Sequence, residues 1–132
     1  MARFRTVAAV AILLFGSTFL WFTPSFLGTG ATVDGAILWV IQVLVVTTVV
    51  GFAGAAWGLY KATAWWRPLA IGGSILGALV LPLWWIGVNS ISGVTNMAAN
   101  LALHAAGIAV LLLVLLVPSL ARGLDRRFAL RP

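Results

Sequence analysis

Cysteine and glutamate are absent from this sequence, and the only carboxylates are Asp34 and Asp125. Without thiols the chain forms no disulfide and offers no thiolate ligand for a metal. Charged residues make up only 8% of its 132 residues, whereas soluble domains contain roughly 25%. Hydrophobic residues make up 63%, and the mean hydropathy is +1.15. This composition is typical of a membrane protein and leaves few groups for acid–base, metal or redox chemistry.

Four long apolar runs predict four transmembrane helices, at about residues 6–22, 35–60, 68–88 and 94–117. A span needs roughly 17–25 residues, so the first run is the shortest candidate. Its basic start is shared with signal peptides, but Phe19, Trp21 and Phe22 are too bulky for a cleavage site, which favours a retained span. We therefore expect one all-α domain over residues 1–132, a four-helix transmembrane bundle ending in a basic tail at residues 118–132. Pro82 is expected to kink the third helix.

Lysine and arginine alternate between the two ends of the predicted spans. There are two before the first span, none in the first loop, two in the second loop, none in the third loop and four in the tail. The positive-inside rule then places both termini in the cytoplasm. Tryptophans near the span ends agree with interfacial belts: Trp21, Trp39, Trp84 and Trp85 outside, and Trp57, Trp65 and Trp66 inside.

The net charge of +6 is therefore explained by orientation and by anionic lipid rather than by nucleic acid. Leu120, Leu124 and Phe128 recur every four residues in the tail, as in a short interfacial helix. The lipid bilayer is the expected partner. Its anionic head groups at the cytoplasmic face are expected to contact the basic tail, at Arg122, Arg126, Arg127 and Arg131.

Small residues recur at four-residue spacing on the last three spans, where they let helix backbones approach closely. The predicted helix-packing residues are Gly51, Gly54, Gly58, Gly73, Gly77 and Gly107. A further row, on the far side of the fourth span, is Ala98, Ala102, Ala105 and Ala109. These faces exceed what a lone four-helix bundle uses, which predicts a homo-oligomer or a subunit of a larger membrane complex.

Asn96, Asn100 and His104 are spaced four residues apart and form one polar stripe on the fourth helix. Helical depths place Gln42, Thr47 and Thr48 of the second span at similar heights. Three interpretations apply to this polar intramembrane seam. Its side chains act as hydrogen-bonding glue between helices, line a path for a ligand or solute, or serve a cofactor through His104.

The chemistry available inside the spans is limited to one histidine without carboxylate or thiolate neighbours. A metal would lack its usual ligand set, and both aspartates lie too far from His104 in depth for Ser/His/Asp catalysis. No phosphate-binding loop is present. We therefore expect no enzyme activity, no metal site and no cofactor, with haem ligation by His104 as a remaining alternative.

Two segments, residues 58–68 (GLYKATAWWRP) and 101–107 (LALHAAG), resemble a family of small uncharacterised four-helix integral membrane proteins from actinobacteria. The resemblance extends over spans two to four. It implies the four-helix fold and a bacterial inner-membrane location, and it implies no activity.

Three functions follow from the sequence, in order of preference. The first is a non-enzymatic accessory subunit or homo-oligomer that acts by helix packing. The second is a small transporter or channel with a pathway along Asn96, Asn100 and His104. The third is a membrane haem-binding subunit that uses His104.

Overall fold

The computed structural model describes residues 2–23, 35–88 and 97–128. Within these ranges the chain forms five α-helices: α1 (Ala2–Thr18), α2 (Ala36–Tyr60), α3 (Trp66–Val88), α4 (Met97–Leu116) and α5 (Pro118–Phe128). A short 3₁₀ turn, Phe19–Phe22, continues α1. Residues Arg3–Phe22 and the helices α2, α3 and α4 are long and apolar enough to cross a membrane. The predicted helical architecture with four candidate spans is thus confirmed.

The 3₁₀ turn has a local cause in the sequence. The hydroxyls of Ser17 and Thr18 donate to the carbonyls three residues earlier, at 2.7 and 2.6 Å, and such bonds compete with the regular helix. Thr23 is extended, with φ −91° and ψ 102°, because a following proline disfavours helical geometry at the preceding residue. In a 3₁₀ turn, residues three apart eclipse one another. Phe19 and Phe22 are consequently both buried.

Helix α2 is the centre of the bundle, since it packs against both α1 and α3, while α4 packs against α3. The largest buried cluster includes Phe19, Phe22, Phe52, Ile41 and Trp84. Here the structure corrects one expectation: Trp84 is 0% exposed and Trp66 only 2% exposed. Both belong to the core rather than to interfacial belts, because neighbouring helices cover them.

Helix α5 folds back against the end of the bundle that carries the basic residues, which we call the basic end. Phe128 is buried, stacks on Phe4 with ring centroids 5.6 Å apart and meets Trp66 edge-on at 5.8 Å. A guanidinium nitrogen of Arg5 also donates to the Phe128 carbonyl, at 3.4 Å. The tail is therefore packed as part of the fold. Its arginines Arg122, Arg126 and Arg127 are exposed, and Arg131 lies outside the described residues.

Both prolines of the third span lie within α3. The helix begins at Trp66, two residues before the predicted start, so Pro68 lies in its first turn, where backbone N–H groups have no helical partner. The helix also continues through Pro82 to Val88. The predicted kink there stays a prediction.

Candidate functional site

The side chain of His104, on α4, lies against the end of α1 and is surrounded by aromatic rings. Only 5% of its surface is exposed. The rings of Phe19 and Phe22 meet the imidazole edge-on, with centroids 4.8 and 4.6 Å away, and Phe15 lies 6.2 Å away. An imidazole in such an apolar setting needs hydrogen-bond partners for its polar nitrogens.

Both ring nitrogens of His104 have partners. Nδ1 lies 2.7 Å from the backbone carbonyl oxygen of Asn100, one helical turn earlier. Because a carbonyl only accepts, Nδ1–H is the donor in this bond. Nε2 lies 2.9 Å from the hydroxyl of Thr18 on α1. The imidazole thereby joins α4 to α1 through a side-chain pair.

The Thr18 hydroxyl has one hydrogen and two acceptors within reach. It lies 2.6 Å from the Phe15 carbonyl and 2.9 Å from Nε2 of His104. The direction of the bond between Nε2 and Thr18 depends on the protonation of the ring. A ring protonated only at Nδ1 accepts at Nε2, and the one hydrogen of the Thr18 hydroxyl then serves either the Phe15 carbonyl or the imidazole.

An open groove of about 450 Å³ lies beside this pair. One wall comes from α1 and the 3₁₀ turn, and the other from α4. The lining residues are Phe15, Ser17, Thr18, Trp21, Asn100, Leu103 and His104. The groove therefore combines hydroxyl, amide and imidazole groups with aromatic surface, at the half of the bundle away from the basic end.

The structure brings together only part of the predicted polar seam. Asn100 and His104 both line the groove, whereas Gln42 is half-buried on α2 and is not part of the lining. Thr47 is exposed and donates to the Val43 carbonyl of its own helix at 2.8 Å. Thr48 is fully buried, and its hydroxyl has no hydrogen-bond partner within the described ranges. Asn96 lies outside the described residues.

The partners that complete the site, Thr18 and Ser17, come from the first span. Counting residues along each span places both in the same half of the membrane as Asn100, but no periodicity in the sequence links them to His104. Their contact depends on how α1 is rotated and on the 3₁₀ turn that follows it. That relation is not encoded in any local pattern.

The predicted packing glycines all face neighbours within the bundle. A Cβ added at Gly51 would lie 3.4 Å from the Cα of Gly73, so α2 and α3 are in close backbone contact there. Added Cβ atoms at the others would meet adjoining side chains: Leu69 at Gly54, Trp65 and Trp66 at Gly58, Phe52 at Gly73, Phe19 at Gly77 and Phe15 at Gly107. These surfaces are therefore already occupied by the chain itself.

Metal or haem ligation finds little support in this geometry. No group of three His, Cys, Asp or Glu side chains that could hold a metal exists within residues 2–23, 35–88 and 97–128. Both nitrogens of His104 already have protein partners. An iron ligated by Nε2 would have to replace the Thr18 hydroxyl and displace the adjoining phenylalanine rings.

Comparisons with protein-family models, with curated proteins and with solved structures find no match to this chain. The resemblance to the actinobacterial family stays a prediction.

Proposed function

We propose that this protein is a non-enzymatic membrane protein that acts by helix–helix association, as a homo-oligomer or as an accessory subunit of a larger complex. The observation that carries this proposal is an exposed alanine face on α4. Its members, all exposed, are Ala98, Ala102, Ala105 and Ala109.

This alanine face lies on a flank of α4, away from the side by which α4 joins the bundle. The buried residues of α4 are His104, Ile108 and Leu115, and at about 100° per residue the alanines lie roughly 80–140° around the helix from them. The glycine faces of α2 and α3 are filled by neighbours within the chain. The alanine face has no such neighbour among the described residues, and its lack of bulk suits close approach of another helix in lipid.

The test is the size of the purified protein in mild detergent, compared with the 13.9 kDa of one chain. We expect the wild type to be larger than one chain, and the double variant Ala102→Leu/Ala105→Leu to lose its partner. Ala78→Leu makes the same change at an exposed position of α3 and serves as the matched control. A wild type that is monomeric and brings down no other membrane protein would refute the proposal.

Leucine at the packing glycines, as in Gly54→Leu or Gly77→Leu, would not test association. Even a Cβ at these positions would approach Leu69 to 2.9 Å and Phe19 to 2.8 Å. Such variants disturb the bundle itself, so any change in size would have two explanations.

The groove beside His104 favours a second candidate function, a small carrier for a polar or amphipathic solute. The hydroxyl, amide and imidazole groups in its mostly apolar lining support binding, but the Phe15 ring packs against Gly107 at the side toward the basic end. That packing argues for a carrier that rearranges rather than for an open pore. Liposomes with His104→Ala protein provide the test: a flux that the substitution leaves unchanged removes this candidate.

The location proposed with either function is the bacterial inner membrane, which the resemblance of residues 58–68 and 101–107 implies, with both termini in the cytoplasm. The basis for this orientation is the distribution of charge. The basic end carries the exposed arginines of α5 together with Arg3, Arg5, Lys61 and Arg67. The positive-inside rule assigns such an end to the cytoplasm, where anionic lipid is abundant.

A further inference from the structure

A second groove, of about 360 Å³, lies between α1 and α2. Thr6, Ala9, Val10 and Leu13 form its α1 wall, and Ala53, Ala56, Trp57 and Tyr60 form its α2 wall. Each set follows the spacing of one helix face over two turns, so the groove runs along both helices for roughly 10 Å. Three alanines keep it open, because larger side chains there would fill the space. The groove lies in the half of the bundle toward the basic end.

A lysine is held at the end of this groove. The Lys61 ammonium lies 4.7 Å from the Trp57 ring centre and 5.6 Å from that of Tyr60, and both rings line the groove. The Thr63 and Ala62 N–H groups donate to the Gly58 and Leu59 carbonyls, at 3.0 Å each, and so end α2 at Tyr60 with Lys61 as the residue that follows it.

Ala62 adopts φ 60° to complete that helix end. A left-handed conformation is costly for a residue other than glycine, so the turn is held by its surroundings. On the opposite wall, Arg3 is exposed and precedes Thr6 by three residues, which places it on the same side of α1. Neither α1 nor α2 contains a carboxylate. The mouth of the groove is thus flanked by positive charge from both walls.

We propose that the α1–α2 groove binds one anionic phospholipid. An acyl chain lies against Ala9, Ala53 and Ala56, and the phosphate lies at the mouth between Lys61 and Arg3. The aromatic side chains Trp57 and Tyr60 suit this depth, because their apolar rings contact the acyl chain while their polar atoms reach the head-group region. Charge complementarity therefore selects an anionic over a zwitterionic lipid.

This site differs in kind from the arginines of α5. Arg126 and Arg127 are exposed on a helix whose apolar face packs on the bundle, so they attract anionic lipid by charge alone. At the α1–α2 groove, charge and an acyl-sized channel lie together. Binding there should depend on the shape of the groove as well as on its charge.

The experiment uses the full chain in nanodiscs of phosphatidylcholine mixed with phosphatidylglycerol, and native mass spectrometry counts the lipids retained on release. We expect the wild type to retain one phosphatidylglycerol in preference to phosphatidylcholine. Lys61→Gln should lower that preference about fivefold, the equivalent of one basic residue near a membrane surface. Ala53→Leu, which fills the groove without changing charge, should lower retention of either lipid.

Two matched controls separate the groove from general effects. Arg126→Gln removes one exposed charge from α5, and Ala11→Leu adds the same bulk as Ala53→Leu on the opposite face of α1. Both should retain lipid as the wild type does. Equal losses for Lys61→Gln and Arg126→Gln, or unchanged retention in Ala53→Leu, would show diffuse electrostatic attraction and overturn the proposal.

A protein occupant is a separate outcome of the same experiment. If Ala53→Leu reduces the oligomer mass and leaves lipid retention unchanged, a second copy of the chain fills the groove and the lipid proposal fails. Because Lys61 is exposed, its substitution leaves the bundle folded, and that variant remains informative if Ala53→Leu is unstable. None of these positions lies on α4, so the association proposal stands or fails separately.

Discussion

At the scale of single residues, the pair formed by Thr18 and His104 is the most specific feature of the bundle. It connects the end of α1 to α4 through one hydrogen bond of 2.9 Å. The surrounding aromatic rings leave only 5% of His104 exposed. Hydrogen bonds between membrane helices contribute about 0.6 kcal/mol on average and at most about 1–2 kcal/mol. The pair therefore contributes more to the register of two helices than to overall stability.

Thr18→Val tests this role with almost no change in side-chain shape. The substitution leaves Nε2 of His104 without a partner among apolar rings, so we expect the free energy of unfolding to fall by about 1 kcal/mol. Ser17→Ala is the control, because that hydroxyl bonds only to the Leu14 carbonyl of its own helix and should cost little. Unfolding of the purified variants in mixed micelles measures both. Equal losses in the two variants would contradict a specific Thr18–His104 bond.

The sequence identified His104 as unusual, but it did not identify the partner. A single histidine in a charge-free span is visible from composition alone. Thr18 is one of several hydroxyl residues in the spans, and its role depends on the rotation of α1 and on the 3₁₀ turn. Thr47 shows the converse: its depth matches the seam, yet it faces outward. The depth of a residue along a helix is predictable from the rise per residue. Which neighbour its side chain faces is not, because that depends on how the helices pack.

At the scale of helices, the close approach of α1 and α2 depends on a glycine that no periodic pattern singles out. An added Cβ at Gly16 would collide with the Cβ of Phe52, close to the α2 backbone. Four-residue spacing predicts the packing glycines of α2 and α3, whereas Gly16 has no small residue at that spacing within α1. An isolated glycine gives no signal until the helix that crosses it is known.

Gly16→Ala should therefore destabilise the bundle, although alanine is the better helix former. Rotamer changes at Phe52 do not move its Cβ, so α1 must shift, and we expect a loss of about 1–3 kcal/mol. Gly72→Ala is the matched control: nothing lies within 4 Å of an added Cβ there, and the change should be neutral or stabilising by up to about 1 kcal/mol. Thermal unfolding followed by circular dichroism compares the two. A neutral Gly16→Ala would contradict the α1–α2 crossing.

At the scale of the whole molecule, α1 borders both grooves. The one beside His104 opens between α1 and α4 and has hydroxyl, amide and imidazole groups in a mostly apolar lining. The one beside Trp57 opens between α1 and α2 and has an almost wholly apolar lining. The second lies next to the basic end of the bundle, and the first lies away from it. Because the two grooves lie at opposite ends of the bundle, each would face a different leaflet. The orientation of the chain therefore decides which leaflet each groove contacts.

Orientation can be measured without background, because the chain contains no cysteine. The eight basic residues predict that Ser119, at the start of α5, faces the cytoplasm, and that position 25, in the first loop, faces outward. Single variants Ser119→Cys and Ser25→Cys are treated in intact cells with a membrane-impermeant maleimide. We expect Ser25→Cys to be labelled at once and Ser119→Cys only after permeabilisation. The reverse pattern would invert the bundle and place the proposed phospholipid groove in the outer leaflet, where the cytoplasmic surface charge no longer accounts for its basic mouth.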